Sequence, residues 1–277
     1  MSIAAALRGR RLLSFALALV ALQVALALLA PWIAPHDPLA QVVVRRLKPP
    51  DAISWLGTDQ LGRDNLSRIL HGYRASLAIS GGAVALSLVV GGAIGMVAAL
   101  RRGWTERIAM RLMDVVFAFP LMLLAIGIVA MLGPRPWTTA LAIAVVYTPV
   151  FARLVRAPAL VVAQAEYVAG ARAIGASDTR ILLRHMLPNL SSVLLVQASL
   201  LLSAAILVEA SLSFLGLGTQ PPTPSLGLML SEGRNFLLLG PWSAVFAGFA
   251  ILFLSFGFNL LGDALRDTLD PRLRKLA

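Results

Sequence analysis

The chain has 277 residues, of which 58% are hydrophobic and only 13% charged, with a mean hydropathy of +0.83 and a net charge of +11. A water-soluble domain carries about 25% charged residues, so this composition is matched to lipid and not to a single globular core. The Lys and Arg residues stand in short clusters between long uncharged runs, which argues against a nucleic-acid-binding face, and the absence of cysteine excludes disulfides, thiolate metal sites and Cys nucleophiles.

The uncharged runs predict the elements in order. The first spans Leu12 to Ala30 and the second Ala75 to Leu100. A third lies between Asp114 and Arg135, and a shorter fourth between Arg135 and Arg153. The fifth extends from about Leu190 to Leu217 and is interrupted once, by Glu209; the sixth lies between Arg234 and Asp263. Each approaches or exceeds the ~20 residues a helix needs to cross the hydrocarbon. Barrel strands would alternate polar and apolar residues, and these runs do not. The expected fold is an all-α membrane protein with six transmembrane helices.

Arg8, Arg10 and Arg11 ahead of the first run raise the question of a secretory signal. The run is 19 residues long and passes into Pro31-Trp32-Ile33, whereas a signal core has about 7–15 apolar residues and a small-residue cleavage site. A retained helix is expected. With the N-terminus inside, the inner segments hold 16 Lys and Arg and the outer segments 8. The positive-inside rule then places both termini in the cytoplasm.

Between the first two spans, Asp64 or Asn65 can cap a short helix with Leu66, Ile69 and Leu70 on its apolar edge. Arg63, Arg68 and Arg74 on this interfacial elbow suit snorkelling to headgroups and a direct part in receiving solute equally well. In the second span Gly81, Gly82, Gly91, Gly92 and Gly95 include a Gly-x-x-x-Gly step that permits close helix contact. Asp114 reads as a charge at the start of the third span. His36, His71 and His185 lie too far apart, on two sides of the membrane, to suggest a metal site. Glu209, the one acid well inside a span, reads as a structural or gate residue in preference to a substrate contact.

The inner loop from Arg153 to Asn189 carries the most information. The stretch from Ala165 to Asp178 reads as an Ala-rich helix, a stop and the start of a second helix, and Gly175 suits the left-handed position at the stop. Ser177 or Asp178 can cap a second helix, and Pro188 is expected to end or kink that helix before the fifth span. A short helix pair held at the membrane surface is a suitable knob for a partner's groove. The chain has no Gly-x-x-x-x-Gly-Lys-Ser/Thr segment, so ATP would have to be bound by a partner.

This loop resembles the cytoplasmic loop of type I ABC importer permeases, whose pattern is Glu-Ala-Ala, three residues, Gly, nine residues, Ile, one residue, Leu-Pro. Aligned on Gly175 and Leu187-Pro188 the spacing fits without a gap, with Ala169 at the Glu place, Gly170 at the first Ala, Ala171 at the second and His185 at the Ile. Gly57-Thr58-Asp59-Gln60-Leu61-Gly62-Arg63-Asp64 is similar to the stretch before the second span in dipeptide, oligopeptide and nickel importer permeases. So are Phe119-Pro120, Leu212 to Gly218, Gly262 to Asp267 and Asp270-Pro271-Arg272, and together they resemble the C-type permease subunit.

The resemblance implies a bacterial inner-membrane permease, not an enzyme, that binds no cofactor itself. It implies as partners a second homologous permease, two cytoplasmic ATPase subunits that bind ATP, an extracytoplasmic solute-binding protein and membrane lipid. It makes Glu166, Ala169, Gly170, Ala171, Gly175, Ser177, Asp178, Leu187 and Pro188 the ATPase-coupling loop. Residues 1–74 would be an N-terminal helix with an outer segment, 75–265 the transmembrane domain of type-1 ABC transporters, and 266–277 a cytoplasmic tail. Peptides are the expected solute. The alternatives are nickel or another small solute, or an ion-coupled secondary transporter, for which Glu209 alone would qualify.

Overall fold

The computed structural model describes residues 3–269, with side chains from Arg11 onward. Arg8, Arg10 and the tail from Asp270, which entered the charge count and the family resemblance, lie outside the described side chains. Ten α-helices are found among the described residues: α1 (Ile3–Ile33), α2 (Asn65–Arg101), α3 (Gly103–Phe117), α4 (Leu121–Leu132), α5 (Pro136–Ala163), α6 (Glu166–Ala173), α7 (Asp178–Ile181), α8 (Leu187–Phe214), α9 (Leu226–Gly233) and α10 (Trp242–Leu269). Five paths are long and apolar enough to cross a membrane alone: α1 from Arg11, α2, α5, α7 through α8, and α10. The pair α3 and α4, bent by 89°, passes the same test only when taken together, as a sixth, broken span.

The boundaries differ from the sequence expectation in four places. First, the third crossing does not open at Asp114. Asp114 lies near the C-terminal end of α3, and the chain breaks at Ala118–Pro120, where Pro120 cannot continue a helix. Second, the helix of the fourth crossing continues past Arg153 to Ala163. Arg153 and Arg156 on this extension pair with α3: Arg153 Nη2 donates to Asp114 at 2.6 Å and Arg156 Nε to Glu106 at 2.7 Å.

Third, no separate elbow helix precedes the second span. α2 runs without interruption for 37 residues from Asn65, and the Asp64 carboxylate caps it by accepting from the Ser67 N–H and hydroxyl, both at 2.8 Å. Fourth, Pro188 does not end its helix. A π-turn over Leu182–Met186 joins α7 to α8, and the Leu187 N–H reaches back to the Leu182 carbonyl. The wider turn makes room for a proline ring that would meet the carbonyl four residues earlier in a regular helix.

Two apolar clusters hold the helices together. One joins α2, α4, α5 and α8 around Ile79, Val84, Val129, Phe151, Val155 and Leu194. The other joins α1, α2, α8, α9 and α10 around Tyr73, Ile206, Met229, Leu254 and Phe258. Gly91 and Gly95 lie directly on the α5 backbone at Thr148 and Ala152, while Gly81 and Gly82 face nothing within 4 Å. The Gly-x-x-x-Gly step therefore packs helices within the chain, as backbone approach between membrane helices requires.

The connections sort to two ends of the bundle. At one end His36 N–H meets Ser67, Thr139 meets the Leu217 carbonyl, and Arg63 meets Glu232. At the other, Arg101 pairs with Asp178 and Arg172 reaches the Leu100 carbonyl. α1 and α10 run antiparallel, fixed by the bond from Gln23 Nε2 to the Phe253 carbonyl at 2.6 Å.

Candidate functional site

The loop after α5 folds as a compact knob. α6 turns Val168 and Ala171 into the chain's own core and leaves Glu166, Ala169 and Gly170 outside. Gly175 has φ +83°, the left-handed value anticipated from sequence. Its N–H bonds the Arg172 carbonyl at 2.9 Å, and the Ala176 N–H bonds the Ala171 carbonyl at 3.0 Å. These two bonds complete a Schellman motif, so the free carbonyls at the end of α6 are satisfied and the turn is rigid.

Ser177 then caps α7, and Asp178 pairs with Arg101 at 3.1 Å, tying the knob to the end of α2. Tyr167 and His185 close its base with ring centroids 6.1 Å apart. Leu187 and Pro188 lie exposed at the start of α8, just beyond this contact. The outermost apolar side chain is Ile174, 87% exposed at the tip. The arrangement thus brings together the sequence-selected residues, with Ala171 as the one that faces inward.

Glu209 is fully buried and lies apart from the knob. Its two carboxyl oxygens accept from Ser76 of α2 and Ser213 of α8, each at 2.7 Å. Gly227 of α9 packs directly over Ala210 and Ser213. One oxygen is engaged across to α2 and the other within α8, so the buried intramembrane carboxylate has both oxygens satisfied.

The end of the bundle opposite the knob holds an ionic centre that sequence reasoning misread. Arg63 and Arg68 do not snorkel: both are buried, and only Arg74 is exposed. Asp59 accepts from the Leu61 and Arg63 N–H groups at 2.8 and 2.9 Å, from Arg63 Nε at 2.6 Å, and from Arg68. Glu232 of α9 accepts from Arg63 and Arg68 at 3.0 and 3.1 Å. Two guanidiniums thus face two carboxylates, and the charges balance within the buried cluster.

The Gly57–Asp64 segment is shaped for this centre. Gly57 and Gly62 have positive φ, and a side chain on either would strike the backbone of Lys48 or Val42. The four-residue spacing of Asp59 and Arg63 was a signal available in the sequence; Glu232, 169 residues away from Arg63, was not. Nearby, the Ser54 N–H and then the Arg45 guanidinium hold the exposed Asp51 carboxyl below the usual carboxylate range.

A bundle of crossings held by internal ion pairs and glycine contacts, with a knob at one end, is that of a multi-pass membrane protein. It resembles a solved chain of the inward-facing MetNI methionine ABC transporter, with a TM-score of 0.58 at 17% identity, covering 73% of this chain and 96% of that one. The chain belongs to the binding-protein-dependent transport system inner membrane component family, whose model matches residues 91–275. Residues 3–50 match the N-terminal TM domain of oligopeptide transport permease C.

Among its relatives, the glutathione transport system permease protein GsiD of Pectobacterium atrosepticum is 44% identical over 92% of this chain and 85% of its own length. The dipeptide transport system permease protein DppC of Alkalihalophilus pseudofirmus is 39% identical over 97% and 88%. The di/tripeptide transport system permease protein DppC of Pseudomonas aeruginosa is 44% identical over 91% and 85%. The protein is accordingly a multi-pass inner-membrane transport subunit.

Proposed function

We propose that this chain is the permease subunit of an ATP-driven, binding-protein-dependent importer that carries peptides across the cytoplasmic membrane, and that it catalyses no reaction itself. Relatives named for dipeptide, di/tripeptide and glutathione transport support peptides over nickel. A second permease, two ATPase subunits and a solute-binding protein complete the machine. The excess of Lys and Arg in the inner segments supports a cytoplasmic position for both termini and for the knob. Residues 1–74 then serve as an N-terminal helix and outer segment, 75–265 as the transporting core, and 266–277 as a tail.

The observation that carries the coupling role is the Schellman-closed turn at Gly175 with Ile174 projecting from it. A rigid knob transmits displacement, and ATP can bias the permease only if the ATPase interface prefers one permease conformation over the other. The test pairs Gly175→Val, which removes the left-handed turn, with Ala169→Lys, which sets a cation on the exposed side of α6 at the place where the family pattern has Glu. Both variants should reach the membrane at normal abundance while losing peptide uptake or ATPase co-purification. Normal uptake by both would reduce the loop to a connector.

A further inference from the structure

α3, the first half of the broken span, has no buried side chain. It meets α5 at Arg153 and Arg156. At 1.5 Å per residue these lie about 26–30 Å along α5 from its outer start at Pro136. The hydrocarbon core is ~30 Å thick, so α3 sits at its far boundary, on the side of α6 and α7. The 89° bend turns α3 across the direction of α4, which lays it along the membrane surface when α4 follows the normal.

The surface of α3 is divided to match. Trp104, Ile108, Leu112 and Val115 follow helical spacing along one edge, each more than half exposed. Arg107 and Arg111 stand beside that edge. Glu106 and Asp114 are neutralised by α5, whereas Arg111 has no ion-pair partner among the described residues and Arg107 lies over the Trp104 ring at 4.5 Å. Between α3 and α5 opens a cavity of about 1010 Å³ lined by Arg107, Arg111, Arg153 and Arg156 against Glu106 and Asp114, an excess of two positive charges.

We propose that this cavity binds the phosphate headgroup of an anionic phospholipid of the inner leaflet. Arg107 and Arg111 hold the phosphate, and the acyl chains lie along Trp104, Ile108, Leu112 and Val115. A helix with a cationic flank, an apolar edge and an interfacial Trp has the character of a surface-lying membrane helix, and basic pockets between helices on this side suit anionic headgroups. A second copy of the chain seated here would set the same unpaired cations against each other.

The test uses the full-length chain and its Arg107→Gln/Arg111→Gln and Arg107→Lys/Arg111→Lys double variants. Native mass spectrometry would compare retention of phosphatidylglycerol and phosphatidylcholine. The wild type should prefer phosphatidylglycerol, the Gln pair should bind it about 30-fold more weakly, and the Lys pair should keep most of the preference. In the assembled transporter, an environment-sensitive dye on Leu112→Cys in this cysteine-free chain should be quenched by brominated phosphatidylglycerol. No lipid preference, a preference unchanged in the Gln pair, or a dye shielded by protein would each overturn the proposal.

Discussion

Arg68 and Glu232 stand 164 residues apart in the chain, yet Arg68 Nη2 donates to Glu232 Oε2 at 3.1 Å. The bond fastens the start of α2 to α9, and Asp59 shares the same guanidinium. Removing Arg68 leaves two carboxylates with Arg63 alone. Arg68→Met should lower stability by about 3–5 kcal/mol, the cost of breaking a buried pair. Glu232→Gln should cost less, since this side chain is 20% exposed and the amide oxygen still accepts. Thermal unfolding in detergent measures both, and equal midpoints for Arg68→Met and wild type would contradict the ionic role.

The glycines of α2 make opposite demands. A Cβ on Gly95 would sit 2.5 Å from the Ala152 carbonyl oxygen, whereas one on Gly82 would meet nothing within 4 Å. Gly95→Ala should therefore destabilise by about 1–3 kcal/mol through overpacking and reduce accumulation in the membrane. Gly82→Ala should leave it unchanged. Equal membrane levels for the two variants would show that the α2–α5 approach does not limit folding.

Glu209 separates the structural reading from the ion-coupled alternative. Gln at this position retains an acceptor between Ser76 and Ser213, so Glu209→Gln should fold and transport. Glu209→Leu leaves buried hydroxyls without their acceptor and should cost about 1–3 kcal/mol. A Gln variant that folds normally but has lost all uptake would point instead to proton coupling through this carboxyl.

Topology is open to direct measurement because the chain has no cysteine. Ile174 at the tip of the knob and Leu238 before α10 are among the most exposed residues, and they lie at opposite ends of the bundle. In intact cells or spheroplasts, an impermeant thiol reagent should label Leu238→Cys and spare Ile174→Cys. Inverted vesicles should reverse the pattern. External labelling of Ile174→Cys would invert the orientation drawn from the charge asymmetry.

The sequence by itself determined the features that depend on neighbours along the chain. Apolar runs of span length located the crossings, because no water in the hydrocarbon satisfies an exposed backbone. Gly175 announced its left-handed turn, because only glycine adopts that conformation without strain. Tertiary structure alone decided where the charges go. Arg68 looked like a lipid-facing residue until Asp59 and Glu232 enclosed it. A lone arginine in a membrane protein belongs at the interface because burying an uncompensated cation is costly. A carboxylate brought by a distant helix removes that penalty, and the meeting of such partners is set by packing, which no local pattern encodes.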